Sequence, residues 1–212
     1  MKSRTRITWG AVMAAIALSG AASAAGADEG GWGRRAEISV LGGIQTLNEN
    51  DTSLPDRFLA IPAVVTATYH LTPLLAVEGE FTWMVPFEQS VDVGAGGDRD
   101  LKTPDILAYQ ANLRASWPGA SLTPYLAAGA GAVTFLSNDD ADRHPQLDES
   151  HTAFAINFGG GVTYGLTERW ALRADVRELV AFPSSDAAGL SLNGEADEIW
   201  MERGTLGLIY RF

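Results

Sequence analysis

From Thr152 to Phe182 apolar and polar side chains alternate with a period of two, in two successive arms. In the first arm Phe154, Ile156, Phe158, Val162 and Tyr164 share one face, and Ala155, Asn157, Gly159, Gly161 and Thr163 the other. After Gly165-Leu-Thr-Glu-Arg169 the second arm sets Trp170, Leu172, Ala174, Val176 and Val180 against Arg169, Arg173, Asp175 and Arg177. Successive side chains of a strand point to opposite faces, so the stretch predicts a hairpin with one apolar and one charged face. A soluble sandwich turns apolar residues inward from both of its sheets. A face of Arg, Asp and Asn suits a barrel with lipid outside and a polar interior.

The rest of the chain repeats the design. A strand over about 36–46 opposes Ile38, Val40 and Ile44 to Glu37, Ser39 and Gln45. One over about 57–70 alternates Leu59, Ile61, Ala63, Val65, Ala67 and Tyr69 with Ala60, Pro62, Thr66, Thr68 and His70. The stretch 74–87 gives Leu75, Val77, Phe81, Trp83 and Val85 against Glu78, Glu80 and Thr82. The stretch 105–117 gives Leu107, Tyr109, Ala111, Leu113 and Trp117 against Gln110, Asn112, Arg114 and Ser116. A fifth strand, about 122–136, is Ala/Gly-rich between Tyr125 and Phe135. The last, about 199–212, places Trp200, Leu206, Leu208, Tyr210 and Phe212 opposite Arg203, Thr205 and Arg211. With the hairpin this predicts an all-β fold: an eight-stranded antiparallel up-and-down transmembrane barrel.

The connections alternate in length. Three are short, each with a Leu-Thr pair (Leu71-Thr72, Leu122-Thr123, Leu166-Thr167); four are long and polar (47–56, 88–104, 137–151, 182–198). Short turns on one rim and long loops on the other are the asymmetry of outer-membrane barrels. The same assignment sorts the aromatics into two girdles. Trp117, Tyr125, Tyr164, Trp170, Tyr210 and Phe212 fall near the short-turn rim, and Trp83, Phe87, Phe135, Phe154, Phe182 and Trp200 near the other.

The N-terminus changes the setting. Basic Met1-Lys-Ser-Arg-Thr-Arg6, an apolar run from Ile7 to Leu18 and Ala22-Ser-Ala24 predict a secretory signal peptide over 1–24, with Ala27 as a second cleavage point. A loose lead over 25–35 and a barrel domain over 36–212 follow. No later stretch is apolar for the roughly 18 residues a spanning helix needs. The chain contains no Cys, which excludes disulfides and thiolate metal sites. Loss of Lys2, Arg4 and Arg6 would take the formal charge of −11 to −14, with acid concentrated at Asp139, Asp140, Asp142, Asp148 and Glu149. Without a basic, aromatic-laced patch, nucleic acid is not an expected partner.

Pro124-Tyr-Leu-Ala-Ala-Gly-Ala-Gly131, Phe158-Gly-Gly-Gly-Val-Thr-Tyr164, Trp170-Ala-Leu-Arg-Ala-Asp-Val-Arg177 and terminal Tyr210-Arg-Phe212 carry a family likeness. Over essentially all of the mature chain it resembles the small eight-stranded outer-membrane barrels, the OmpA-like and OmpX-like barrel domains. The resemblance implies residence in the outer membrane of a Gram-negative bacterium, among lipid and lipopolysaccharide. It also implies that Tyr210 and Phe212 form the C-terminal signal read by the barrel-assembly machinery. The chain stops at Phe212, so the peptidoglycan-binding domain of full-length OmpA-type proteins, and cell-wall tethering with it, are not carried over.

The candidate chemistry lies in the charged face. Glu78, Glu80, Arg114, Arg173, Asp175, Arg177 and Arg203, with Glu37 and Arg169 beside them, are expected to form an interior ion-pair network. It would be either a packed plug, since eight strands leave room only for side chains, or the gate of a narrow pore. The glycines at 129, 131 and 159–161 precede no helix and are not read as a phosphate loop. The acidic loop lacks the spacing of a calcium loop. Of the three histidines, His70 belongs to a short turn. His151 adjoins Ser150, but strand neighbours face opposite ways, so no catalytic residues, cofactor or metal site are assigned. The expected function is structural and surface interaction through four long acidic extracellular loops, with an extracellular ligand as partner. The alternative is a small ion or solute pore gated by interior Arg/Glu pairs.

Overall fold

The computed structural model describes residues 35–48, 58–86, 89–92, 98–101, 104–137, 149–183 and 198–212. Ten strands occur in these segments: β1 (Ala36–Asn48), β2 (Phe58–His70), β3 (Leu75–Pro86), β4 (Gln89–Asp92), β5 (Asp98–Leu101), β6 (Ile106–Ser116), β7 (Leu122–Phe135), β8 (His151–Gly165), β9 (Trp170–Phe182) and β10 (Ile199–Arg211). Eight close a barrel in which each strand pairs antiparallel with its neighbour in the chain, and β10 returns to β1. Closure removes every sheet edge, the condition for placing strands in lipid. The expected eight-stranded antiparallel barrel is the observed one. The two short strands β4 and β5 pair only with each other, within the connection read as a plain loop over 88–104.

The alternation of the sequence becomes the alternation of the wall. Along β3 exposed and buried residues strictly alternate from Leu75 to Val85. Val77, Phe81 and Trp83 face outward, while Glu78, Glu80 and Thr82 are buried in the lumen. Exposed Leu113, Phe158, Leu172, Leu206 and Leu208 continue the apolar outside around the barrel.

Two of the three Leu-Thr turns are the same structure. The Thr72 hydroxyl accepts hydrogen bonds from Leu74 N at 3.2 Å and Leu75 N at 2.9 Å. The Thr167 hydroxyl accepts from Arg169 N at 3.3 Å and Trp170 N at 3.0 Å. A threonine oxygen closing on backbone two and three residues ahead holds a tight turn. The third pair differs: Leu122 and Thr123 already lie in β7, and the chain turns earlier, with Trp117 N bonded to the Pro124 carbonyl at 2.9 Å.

Three placements need correction, two in the girdles and one in the interior. Tyr125 and Phe135 are each 2% exposed and lie inside the barrel, not on its outer belts. The register explains both. Gly129 pairs with inward-facing Asn112, so every odd-numbered residue of β7 from Tyr125 to Phe135 points into the lumen. Arg169 is the third: it is exposed in the short turn and not part of the interior. Trp170 and Tyr210 do form an outer pair near the short-turn rim, with ring centres 4.9 Å apart, and exposed Phe154 and Phe182 stack at 6.1 Å near the other rim. The assignment of Phe87, the signal peptide and acidic residues 139–148 falls outside the described residues.

Candidate functional site in the barrel lumen

The lumen has two layers. In the half nearer the short turns, β3, β6, β9 and β10 deliver charged side chains that their inward parity leaves no route to water. Arg173 is 0% and Glu78 1% exposed. A lone buried charge is too costly to keep, so such groups must be paired and hydrogen-bonded. Glu78 is the hub. Its carboxylate lies 2.7 Å from Arg173 Nη1, 2.5 Å from Arg177 Nη2 and 3.9 Å from Arg114 Nη1. It also accepts from Thr68 Oγ1 at 3.2 Å and Asn112 Nδ2 at 3.4 Å.

Asp175 is the second hub. Arg173 Nη2 and Arg177 Nε approach it at 2.9 and 3.0 Å, and the Tyr125 hydroxyl donates to its Oδ2. Tyr125 also accepts from Arg173 Nε at 2.8 Å, and its ring lies 4.2 Å beneath the Arg114 guanidinium. That cation–π contact supports an arginine whose Nε and Nη1 have no hydrogen-bond partner. Glu80 completes the set, 3.2 Å from Arg177 Nη1 and 2.8 Å from Arg203 Nη2; Arg203 Nη1 donates to Thr82 Oγ1 at 2.7 Å. All seven residues expected to form the network thus meet in one knot. Tyr125, which joins Asp175 to both Arg173 and Arg114, is absent from the sequence-based set because an aromatic in an Ala/Gly-rich strand reads as an outer-belt residue.

At the mouth beside the short turns, Glu37 binds Arg211 Nε at 2.9 Å, His70 Nε2 at 3.3 Å and Arg114 Nη1 at 3.6 Å. It therefore ties the closing strands β1 and β10 to β2 and β6.

The half nearer the long connections is apolar. Met84, Ile106, Val133, Phe135, Leu179 and Met201 pack there among buried alanines of β2, β6, β8 and β9. The expected polar interior therefore describes one half of the lumen. Gln45 straddles the seam, its Nε2 donating to Met84 Sδ at 2.9 Å. The seam holds a cavity of about 10 Å³ lined by Gln45, Glu80, Asn157, Arg177, Leu179 and Arg203. That is barely room for one water.

Inward glycines allow this density. A Cβ on Gly161 would strike the Ala174 carbonyl and the Tyr125 hydroxyl, and one on Gly131 the Tyr109 carbonyl. Strands that approach so closely roll the sheet tightly. Near the long connections, the Ser150 hydroxyl accepts from Ser137 N at 3.0 Å and lies 3.5 Å from Ser137 Oγ. Ser150 thus bonds to Ser137, two residues beyond the end of β7.

Comparisons with known proteins agree with this architecture. Residues 11–212 match the family model described as outer membrane protein beta-barrel domain. Among solved structures, the chain is similar to Neisserial surface protein A, with 12% identity, 84% of this chain and 97% of the other covered, and a TM-score of 0.56. The N-terminal β-barrel domain of Pseudomonas aeruginosa OprF shares 17% identity over 84% and 96% of the two chains, TM-score 0.49. Ail of Yersinia pestis, the attachment invasion locus protein, shares 16% over 84% and 99%, TM-score 0.46. No curated protein sequence matches the chain.

Proposed function

The chain belongs to the outer-membrane protein β-barrel domain family, and from that premise we propose that it is a structural, surface-interaction barrel whose long connections meet extracellular partners. One observation carries the reading. Among the described residues the lumen holds two successive layers, the knot around Glu78 and the cluster around Phe135, with a seam cavity of about 10 Å³ between them. A hydrated ion needs a continuous path many times that volume. A rigid, filled scaffold leaves binding to what it displays, and loops are where a scaffold carries function. The four long connections are acidic and leave the rim opposite the short turns. In this reading lipid and lipopolysaccharide surround the apolar wall. Tyr210 and Phe212, which pack edge to face with ring centres 5.0 Å apart, are the signal for the barrel-assembly machinery.

One contact favours the alternative, a small pore gated by interior Arg/Glu pairs. Arg203 Nη2 lies 2.8 Å from Glu80 and 4.0 Å from Asp175, so it has a second carboxylate to move to. Planar-bilayer conductance of refolded protein separates the two readings, with wild type beside Arg173→Ala and Glu78→Ala and folding verified by the heat-dependent gel shift. A silent bilayer is the expected result. Steady channel steps in the wild type, altered by either substitution, would replace the plug with a gate.

A further inference from the structure

Two carboxylates interrupt the apolar outer wall. Glu178 of β9 and Glu202 of β10 are direct cross-strand partners. Both carry the outward parity: Val176, two residues before Glu178, and Phe158, its partner on β8, are exposed outer-wall residues, as is Leu206 beyond Glu202. The two glutamates are themselves half-buried. Inside the lumen each described carboxylate has an arginine within 3.0 Å. Outside, among the described residues, neither Glu178 nor Glu202 meets a cation.

Like charges directly opposite each other on a sheet destabilise it, and a charge facing lipid adds to that cost. An ionisable group kept in such a place marks a function and calls for a named partner. The depth narrows the choice. Glu178 stands eight residues along β9 from the girdle residue Trp170, roughly 20 Å up the wall for a rise of about 3.3 Å and a tilt near 40°. The apolar band of such barrels is about 25 Å tall, so the pair sits just inside its long-loop boundary.

The wall beside the pair is also shaped differently. On the neighbouring β1–β10 pair Gly42 and Gly204 face outward, and a Cβ at Gly204 would meet nothing within 4 Å. Around this recess Val40, Ile44 and Leu206 stand 61%, 58% and 62% exposed. A second copy of the chain does not suit it, because the copy would bring two more carboxylates to the same depth. An anionic lipid is repelled for the same reason.

We propose that the β9–β10–β1 wall docks a cationic amphipathic segment lying in the outer interface. Its Lys or Arg side chains meet Glu178 and Glu202, and its apolar face covers Leu206, Ile44 and Val40 above the Gly204 recess. Basic amphipathic helices lie at this boundary with their apolar side sunk about 5–10 Å. The inference goes beyond the loop-based function and does not depend on it.

The experiment uses the full-length protein in vesicles of pure phosphatidylcholine. The probes are a fluorescent Leu/Lys amphipathic peptide and the same peptide with Gln for every Lys. Wild type is expected to bind the Lys peptide about thirtyfold more tightly than the E178Q/E202Q variant, at roughly 1 kcal/mol for each of the two charges near a membrane surface. The Gln peptide is expected not to distinguish the two proteins. Equal binding of the Lys peptide to both proteins would place the attraction in the acidic loops and overturn the proposal. So would equal affinity of wild type for the Lys and Gln peptides, a comparison that needs no variant to fold. Saturable Mg²⁺ binding by calorimetry, lost in E178Q/E202Q while peptide affinity is unchanged, would give the pair to a metal ion instead.

Discussion

The two halves of the lumen are walled by the same eight strands and filled with opposite materials. Toward the short turns, Glu78, Glu80 and Asp175 are interleaved with Arg173, Arg177 and Arg203 in a knot where most contacts lie between 2.5 and 3.3 Å. Toward the long connections, Met84, Ile106, Val133, Phe135 and Met201 form an apolar seal. The knot depends on charge match, so losing one member leaves buried charge short of partners. The seal depends on filled volume and is indifferent to which apolar side chain fills it. Closure of the barrel therefore rests on two mechanisms that fail in different ways.

Volume-conserving substitutions test that difference, because they change chemistry and leave packing alone. The largest effect is expected from Glu78→Gln, which preserves shape but removes the carboxylate shared by Arg173 and Arg177, leaving four buried arginines with two carboxylates at the centre of the knot. Breaking a buried pair in this way costs about 3–5 kcal/mol, read as a lower urea midpoint of the lipid-reconstituted barrel. The paired change E78M/R173M should regain much of that loss, since charge is removed from both sides. A smaller cost, about 1–2 kcal/mol in the same assay, is expected for Tyr125→Phe. It keeps the ring under Arg114 and deletes the hydroxyl between Asp175 and Arg173. The smallest belongs to the seal: Met201→Leu should cost under about 1.5 kcal/mol. A Met201→Leu loss as large as that of Glu78→Gln would erase the distinction between the layers.

Strand number, face parity and rim asymmetry were legible because hydropathy contrast is strong where one face meets lipid and the other meets charge. β3 and β9 show this, with Val77 against Glu78 and Leu172 against Arg173. In β7 the contrast disappears. Between Tyr125 and Phe135 nearly every residue is Ala, Gly or aliphatic, so hydropathy assigns no face. Only pairing with Asn112 of β6 and Asn157 of β8 turns Tyr125 inward. The apolar seal escaped for a related reason. Ala60, Met84, Ile106 and Met201 are scattered over four strands, each at the long-connection end of an inward series that turns polar farther along. The two like Leu-Thr turns were visible as a motif, but the third pair was displaced once Trp117 to Ser121 made the turn ahead of it.

By itself the sequence determined that this chain forms strands with a lipid-compatible outside, how many of them close the barrel, which strand charges turn inward and which rim carries the long connections. Those properties follow from residue type and a period of two, which act locally. The tertiary structure alone decided that Glu78 of β3 meets Arg173 and Arg177 of β9, that Tyr125 joins them, that the apolar residues gather at one end, and that Glu178 and Glu202 stand side by side facing outward. Those are consequences of register and closure, which bring together strands far apart in the chain.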